Sequence, residues 1–469
     1  MSRRSQRELP VGILFFLFAA VLIYSVFFLG VPISQASIGE RRYRDVFLLA
    51  LGLLGTLGAL TGPRWRVRCR EDRMIVLAAF ILPGYALLQL VPLPIGLVAM
   101  LSPARAELVR ALEPLYGHDS FASLSIVPAA TFTHFLLLAS YCILFLAARQ
   151  YAMRACDKAW IVAFPVVVAA GAEAVLGTVQ FSSGSNIVAS GTYIVRNHFA
   201  GLLNMALPFA FLYAIHTFRN ISVRERTGMG AALRLCAGLG SAALLLAGIL
   251  CSLSRGGFVS LIGSGLVMLS LTVSRKMPIK NRLLILSLFS ALAVIAIFYL
   301  TPVQMVARFS QHNSAGRLSI WLQGLGVIGE YPLVGCGLGG FESAFLKFKI
   351  NWGLINVDYA HNDYLQYLSE LGAVGFLVGA VLIGGVATRV WRIAAEATEL
   401  QLLALACVGS LTTILIHSAM DFNLYVVANA AVFAWICGLA AGLKPIPPAP
   451  GERVIELASV EPHRSMLFR

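Results

Sequence analysis

Three arginines stand where an apolar run meets a polar turn: Arg196 in VRNHFAG, Arg255 in SLSRGG and Arg317 in SAGRLSIW. A guanidinium is planar, always charged and able to grip a phosphate with two parallel N–H groups. Arginine beside a membrane is costly unless an anion or water meets it. One such residue is equally well explained by a side chain snorkelling to the interface. Three on one face, beside a loop that carries a histidine, point to an anionic ligand. That histidine is His361, which opens HNDYLQ. An imidazole is a general base near neutral pH, and the competing reading is a histidine that caps a helix. Asp363 is too near in sequence to orient it, which leaves Tyr359, Asp358 or Glu370 as partners.

His198 and His417 fit structural roles better. Asp421 follows His417 by one helical turn in HSAMDFN, so these two are expected to pair. Glu173 is the one carboxylate deep in an apolar run, and either a function or a bond to a neighbouring helix explains it. Trp321, Tyr331, Phe341, Phe345, Phe348, Trp352, Tyr359, Tyr364 and Tyr367 form an aromatic set suited to stacking on sugars, or to an interfacial belt.

These residues need elements to hold them, and the composition says which. The chain is 58% hydrophobic and only 12% charged over 469 residues. A soluble domain carries about a quarter charged residues. Apolar runs of about 20 residues recur along the length, the signature of an all-α polytopic membrane protein. About twelve spans are expected, near 11–30, 46–62, 74–92, 131–148, 159–181, 198–217, 235–251, 257–273, 283–300, 373–388, 402–420 and 424–443.

The net charge of +14 does not indicate nucleic acid, because most lysines and arginines fall at the ends of apolar runs on one side. That asymmetry puts both termini in the cytoplasm, and the long polar segment 301–372, between spans nine and ten, on the outer face. Within it, Ser314 is expected to cap a helix over 315–329, with Arg317 in its first turn. A second helix is expected to start near His361 and run into span ten. Gly256 and Gly257 beside Arg255 leave room for a head group. The membrane domain covers 1–443, and the Pro-rich tail 444–469 is expected to be disordered and cytoplasmic. Eight cysteines fit neither a zinc site nor a disulfide framework.

Several chemistries lack their residues. There is no phosphate loop ending in Lys-Ser or Lys-Thr, no HExxH and no Asp-x-Asp pair, so neither metal nor cofactor is expected. A transferase built this way would draw its donor from the membrane.

GTYIVRNHFAG, SRGG, GRLSIW followed by YPLVGCGLGGFESAF, HNDYLQYLSELGAVG and HSAMDFNLYVVANA resemble, in order and spacing, the O-antigen ligase and polymerase superfamily. The likeness covers about 180–443. It implies a GT-C-like membrane fold with a periplasmic active site in the bacterial inner membrane, serving lipopolysaccharide or other surface polysaccharide assembly. The donor would be a glycan on undecaprenyl pyrophosphate. The acceptor would be a sugar hydroxyl, of the lipid A core in a ligase or of a growing polysaccharide in a repeat-unit polymerase. Transfer would be metal-independent and inverting. By motif, the resemblance makes His361 the base or acceptor-orienting group, with Arg255 and Arg317 gripping pyrophosphate. Arg196, His198, Trp321, Asn362, Tyr364 and Asp421 are the expected substrate-binding residues around them. A twelve-span transporter or flippase is the alternative class, disfavoured because the polar residues lie at the outer face and no halves repeat.

Overall fold

A computed structural model describes residues 5–35, 37–61, 70–117, 120–185, 187–220, 229–273, 277–281, 283–285, 287–288, 314–350, 355–396 and 399–444. Most of the expected ninth span, loop residues 301–313, Trp352 and nearly all of the expected tail lie outside them. The described chain is helical apart from a two-residue antiparallel ladder, β1 (Leu93–Pro94) with β2 (Phe121–Ala122).

The helices are α1 (Ser5–Phe28), α2 (Ile38–Thr61), α3 (Arg70–Leu88), α4 (Ile95–Leu101), α5 (Pro103–Tyr116), α6 (Pro128–Ala155), α7 (Phe164–Ser182) and α8 (Arg196–Asn220). They continue with α9 (Met229–Cys251), α10 (Arg255–Thr272), α11 (Ser314–Glu330), α12 (Phe341–Phe345), α13 (Asp363–Ala395), α14 (Gln401–Ser418) and α15 (Val427–Gly442). Seven of them, α6 to α10, α13 and α14, are long and apolar enough to cross a membrane. Shorter apolar helices cover Gly12–Phe28, Arg73–Leu88 and Val427–Gly442. The protein is a polytopic helical membrane protein.

α8 and α14 are the most enclosed spans. They hold their neighbours with small residues and a few polar links, as close helix packing in lipid requires. Asn204 on α8 donates to the Gly257 carbonyl (2.9 Å) and to Ser260 Oγ (3.1 Å) on α10. Ser264 Oγ on α10 donates to the Gly409 carbonyl on α14 (2.8 Å). α15 lies on α6 through Gly438 and Gly442, spaced one turn apart. A methyl at Gly438 would stand 2.2 Å from the Phe145 carbonyl oxygen.

Glu173, buried on α7, is accounted for by the chain that follows: it accepts from the Thr192 amide (2.9 Å) and hydroxyl (2.8 Å). Its role here is to fasten the turn that leads into α8.

The glycine-rich run after α11 is the fold's main irregular feature. α13 breaks at Gly372, whose φ of +63° suits glycine alone. The break frees backbone groups that must find partners. Residues 332–337 supply them. The Cys336 and Gly337 amides donate to the Ser369 and Glu370 carbonyls (3.0 and 3.1 Å), and the Ala373 and Val374 amides donate to the Pro332 and Leu333 carbonyls (2.8 and 3.2 Å). Tyr85 on α3 and Gln89, just past its end, complete the set by donating to the Leu371 and Glu370 carbonyls (2.8 and 2.9 Å). The Glu370 carboxylate accepts from the Gly339 amide (2.6 Å), the Phe341 amide (3.3 Å), Gln366 Nε2 (2.8 Å) and the Tyr425 hydroxyl. The glycine-rich loop is thus locked to the bundle.

Candidate active site

Helix ends converge at one end of the bundle: the starts of α8, α10, α11 and α13, and the end of α14. Their meeting point is Asp421, only 1% exposed. His361 Nδ1 lies 3.2 Å from its Oδ1. Asn197 Nδ2 donates to Oδ2 at 2.6 Å, and an Arg317 terminal nitrogen stands 3.4 Å from the same oxygen. The other terminal nitrogen of Arg317 donates to the Met420 carbonyl. Burial works to raise the Asp421 carboxyl. His198, His361 and the Arg317 charge outweigh it and hold the group well below its ordinary value, so Asp421 is ionised.

His361 occupies a left-handed backbone conformation (φ +51°) that disfavours a side chain. The next residue explains the bend. Asn362 caps α13, its Oδ1 accepting from the Tyr364 and Leu365 amides (3.0 and 3.2 Å). The ring of His361 meets Phe422 edge-on at 4.8 Å, and Tyr359 stacks on Phe422 at 4.2 Å. The partner of His361 is therefore Asp421, not Tyr359, Asp358 or Glu370: Tyr359 supports the neighbouring ring and Glu370 holds the glycine loop.

α11 begins at Ser314 itself, one residue before the expected start, with Arg317 in its first turn. Trp321 Nε1, one turn on, donates to the Ala360 carbonyl (2.9 Å) and ties α11 to the segment before His361. Tyr364, 39% exposed, donates to the Leu415 carbonyl (2.7 Å). The aromatic set divides accordingly: Tyr331, Phe341, Phe345 and Tyr359 are core residues, while Tyr364 keeps an exposed face.

Arg255 joins through its neighbour. Ser254 caps α10 by accepting from the Gly257 amide, and its hydroxyl donates to Asn197 Oδ1 at 2.9 Å. Asn197 thus bridges the Arg255 turn to Asp421. Arg196, half-buried, precedes it at the start of α8. The two glycines after Arg255 make room for protein, not for a head group. A methyl at Gly256 would lie 2.7 Å from His417 Nε2, and one at Gly257 2.9 Å from the Ala200 side chain.

His198 and His417 are both fully enclosed. His198 Nε2 lies 3.8 Å from Asp421 Oδ1, beyond hydrogen-bonding range, and its ring meets the other side of Phe422 at 4.7 Å. His417 reaches Asp421 through its backbone carbonyl, which accepts from the Asp421 amide at 3.1 Å. The expected side-chain pair of His417 with Asp421 is replaced by the pairs with His361 and Arg317, which approach from the open side.

Sequence reasoning missed Asn197 and Phe422. A polar residue next to a suspect arginine, and an aromatic next to a suspect acid, were the available signals. Among the described residues, no group of three or more His, Cys, Asp or Glu side chains is placed to hold a metal ion.

This arrangement can orient an imidazole, keep its far nitrogen free, and present a guanidinium edge beside it to an anion. Fold and site together define a polytopic membrane protein whose polar centre is built from helix ends. Residues 240–380 match the family model described as O-Antigen ligase. The match supports the likeness to the O-antigen ligase and polymerase superfamily, and points to a glycan ligase or polymerase type of membrane enzyme. The matched segment contains Arg255, Arg317 and His361. No curated protein matches the chain.

Proposed function

We propose that the protein transfers a glycan from a polyprenyl pyrophosphate, of the undecaprenyl type, to a sugar hydroxyl at the periplasmic face of the bacterial inner membrane. The observation that carries this reading is the joint hold of Asp421 on His361 and Arg317. Because Asp421 is ionised, it accepts the proton of His361 Nδ1 and fixes the tautomer in which Nε2 is bare. Nε2 then takes the proton of the acceptor hydroxyl as its oxygen attacks the anomeric carbon. The bond from that carbon to the pyrophosphate oxygen breaks, and polyprenyl pyrophosphate leaves with the electron pair.

The leaving group gains negative charge, which a preorganised cation stabilises best. Arg317 uses part of its fork to hold Met420 and Asp421, and its exposed edge faces outward to the pyrophosphate. Arg255, and Arg196 beside Asn197, form the second wall. Displacement in one step inverts the anomeric centre, and the charge balance needs no metal. Asp421, Asn197 and His198 are positioning residues in this scheme. Tyr364, with its exposed face, is the aromatic best placed to meet a sugar, while Trp321 and Asn362 shape the loop. The positive-inside charge pattern supports cytoplasmic termini.

The test is a profile of polyprenyl-linked glycans in cells lacking the protein, rescued with wild type or Arg317→Ala. Long lipid-linked polymer that only wild type clears identifies a ligase. Accumulated single repeat units identify a polymerase. An unchanged profile in both lanes removes both readings and favours a transporter.

A further inference from the structure

The chain joins α6 to α7 through a 3-10 turn, Cys156–Val162. Lys158 and Trp160 on this turn line a second cavity, of about 260 Å³, together with the start of α7, the last turns of α8 and Arg234 on α9. It lies far from the site already described. Along α8, Asn197 at the site and His216 at the cavity are about 28 Å apart at ~1.5 Å per residue. That is close to the ~30 Å hydrocarbon thickness of a bilayer, so the two sites sit at opposite membrane surfaces. In the topology proposed above this end is cytoplasmic.

One wall is aromatic. Trp160 meets Tyr213 edge-on at 5.4 Å and stands 5.4 Å from the His216 ring, and Phe164 meets Tyr213 edge-on at 5.3 Å. Asn220 Nδ2 donates to a His216 ring nitrogen at 3.2 Å and holds that ring in place.

We propose that this cavity binds the phosphate head group of an anionic phospholipid. The inference goes beyond the transferase reading and stands without it. Three observations point to this occupant. First, Lys158 and Arg234 come from separate elements to one cavity, and no carboxylate is among its described lining residues. Like charges gathered this way repel unless an anion lies between them, and a phosphate is the anion that lysine and arginine hold best. One basic side chain at a helix end is explained by snorkelling, but two around a shared cavity are not.

Second, the rim is apolar on one side. Ile161 and Phe164 line the cavity yet are 45% and 40% exposed. They flank helices long and apolar enough to cross a membrane, so hydrocarbon covers them. A ligand that meets cations and hydrocarbon together is an amphiphile. Third, the volume falls just below the roughly 300–1,000 Å³ of drug-sized sites. It takes a head group and leaves the acyl chains outside, along Ile161 and Phe164. Basic pockets between spans at the cytoplasmic side suit such head groups.

The test uses the full-length protein, purified and delipidated in detergent, titrated with phosphatidylglycerol and read by native mass spectrometry. Wild type binds the lipid saturably. The double variant Lys158→Gln/Arg234→Gln binds it roughly thirtyfold more weakly, the loss expected for two basic residues at an anionic lipid. Both side chains are exposed, so the variant folds. Arg42→Gln/Arg110→Gln removes two exposed cations from α2 and α5 and binds as wild type does.

Equal binding by wild type and Lys158→Gln/Arg234→Gln overturns the proposal. So does zwitterionic phosphatidylethanolamine that binds wild type as tightly as phosphatidylglycerol, since the cations would then select nothing. Inorganic phosphate that displaces the lipid at equal concentration also overturns it, because the ligand would then be a soluble anion.

Discussion

Replacing Asp421 with asparagine keeps the shape of the site and removes its charge, and the consequences follow from the two carboxylate oxygens. Oδ2 faces Asn197 Nδ2 at 2.6 Å and the Arg317 charge at 3.4 Å, whereas Oδ1 faces His361 and a single uncharged donor, the Phe422 amide at 3.0 Å. The carbonyl oxygen of the new amide therefore stays on that side, and its NH₂ turns toward His361 Nδ1. An NH₂ there donates to the ring and reverses the tautomer, so Nε2 carries the proton and no longer acts as a base. General-base catalysis contributes about 10²–10⁴ in rate.

The amide also no longer stabilises the imidazolium that forms during transfer. Unit charges ~4 Å apart interact by about 4 kcal/mol at an effective dielectric of 20. With the His361 side chain 35% exposed, solvent screens this to roughly 2 kcal/mol. The expected result is a fall in kcat of about 10³ with little change in KM for the donor, measured as single-turnover transfer of a fluorescent glycan in detergent. A folded Asp421→Asn protein with kcat within threefold of wild type would refute the tautomer argument.

Other outcomes follow from the same contacts. Arg317→Lys loses at least about tenfold in kcat, since an ammonium cannot span Met420 and Asp421 while facing an anion; the same transfer assay reads it. Glu370→Ala leaves the Gly339 and Phe341 amides, Gln366 and Tyr425 without their acceptor, and each buried donor left unpaired costs about 1–3 kcal/mol. The variant should therefore show a clear drop in Tm, with Glu370→Gln falling less. Asp421 is held below its ordinary value of 3.8, so the stability it contributes is present above that pH and is lost as pH falls below it. The Tm difference between wild type and Asp421→Asn should accordingly stay constant from pH 8 to about 4.5 and shrink under more acidic conditions.

Much of this architecture is written in residue type and spacing. The apolar runs announce membrane helices because lipid leaves the backbone no other partners. Asn362 in the HNDYLQ stretch marks a helix start through its capping chemistry, and α13 begins where that chemistry puts it. Arg317 and His361 stand out because charge is scarce in this chain.

What the sequence hides is long-range pairing. His361 and Asp421 are sixty residues apart in the chain, and nothing local distinguishes Asp421 from Glu370 as the orienting acid. Glu370 proves to be the acceptor for a glycine loop whose backbone fills a break at Gly372, a match visible only once α13 and the 332–337 segment lie side by side. The glycines after Arg255 illustrate the same limit. They signal close approach, and only the fold reveals that His417 and Ala200, not a ligand, approach them.

The most direct measurement of the central claim is transfer by the purified protein of a labelled glycan from its polyprenyl pyrophosphate to an acceptor glycan, with wild type, His361→Ala and Arg317→Ala side by side. The account predicts product carrying an inverted anomeric linkage from wild type, and at least a hundredfold less from each variant. Product from His361→Ala at the wild-type rate, or retention of the anomeric configuration, would contradict it.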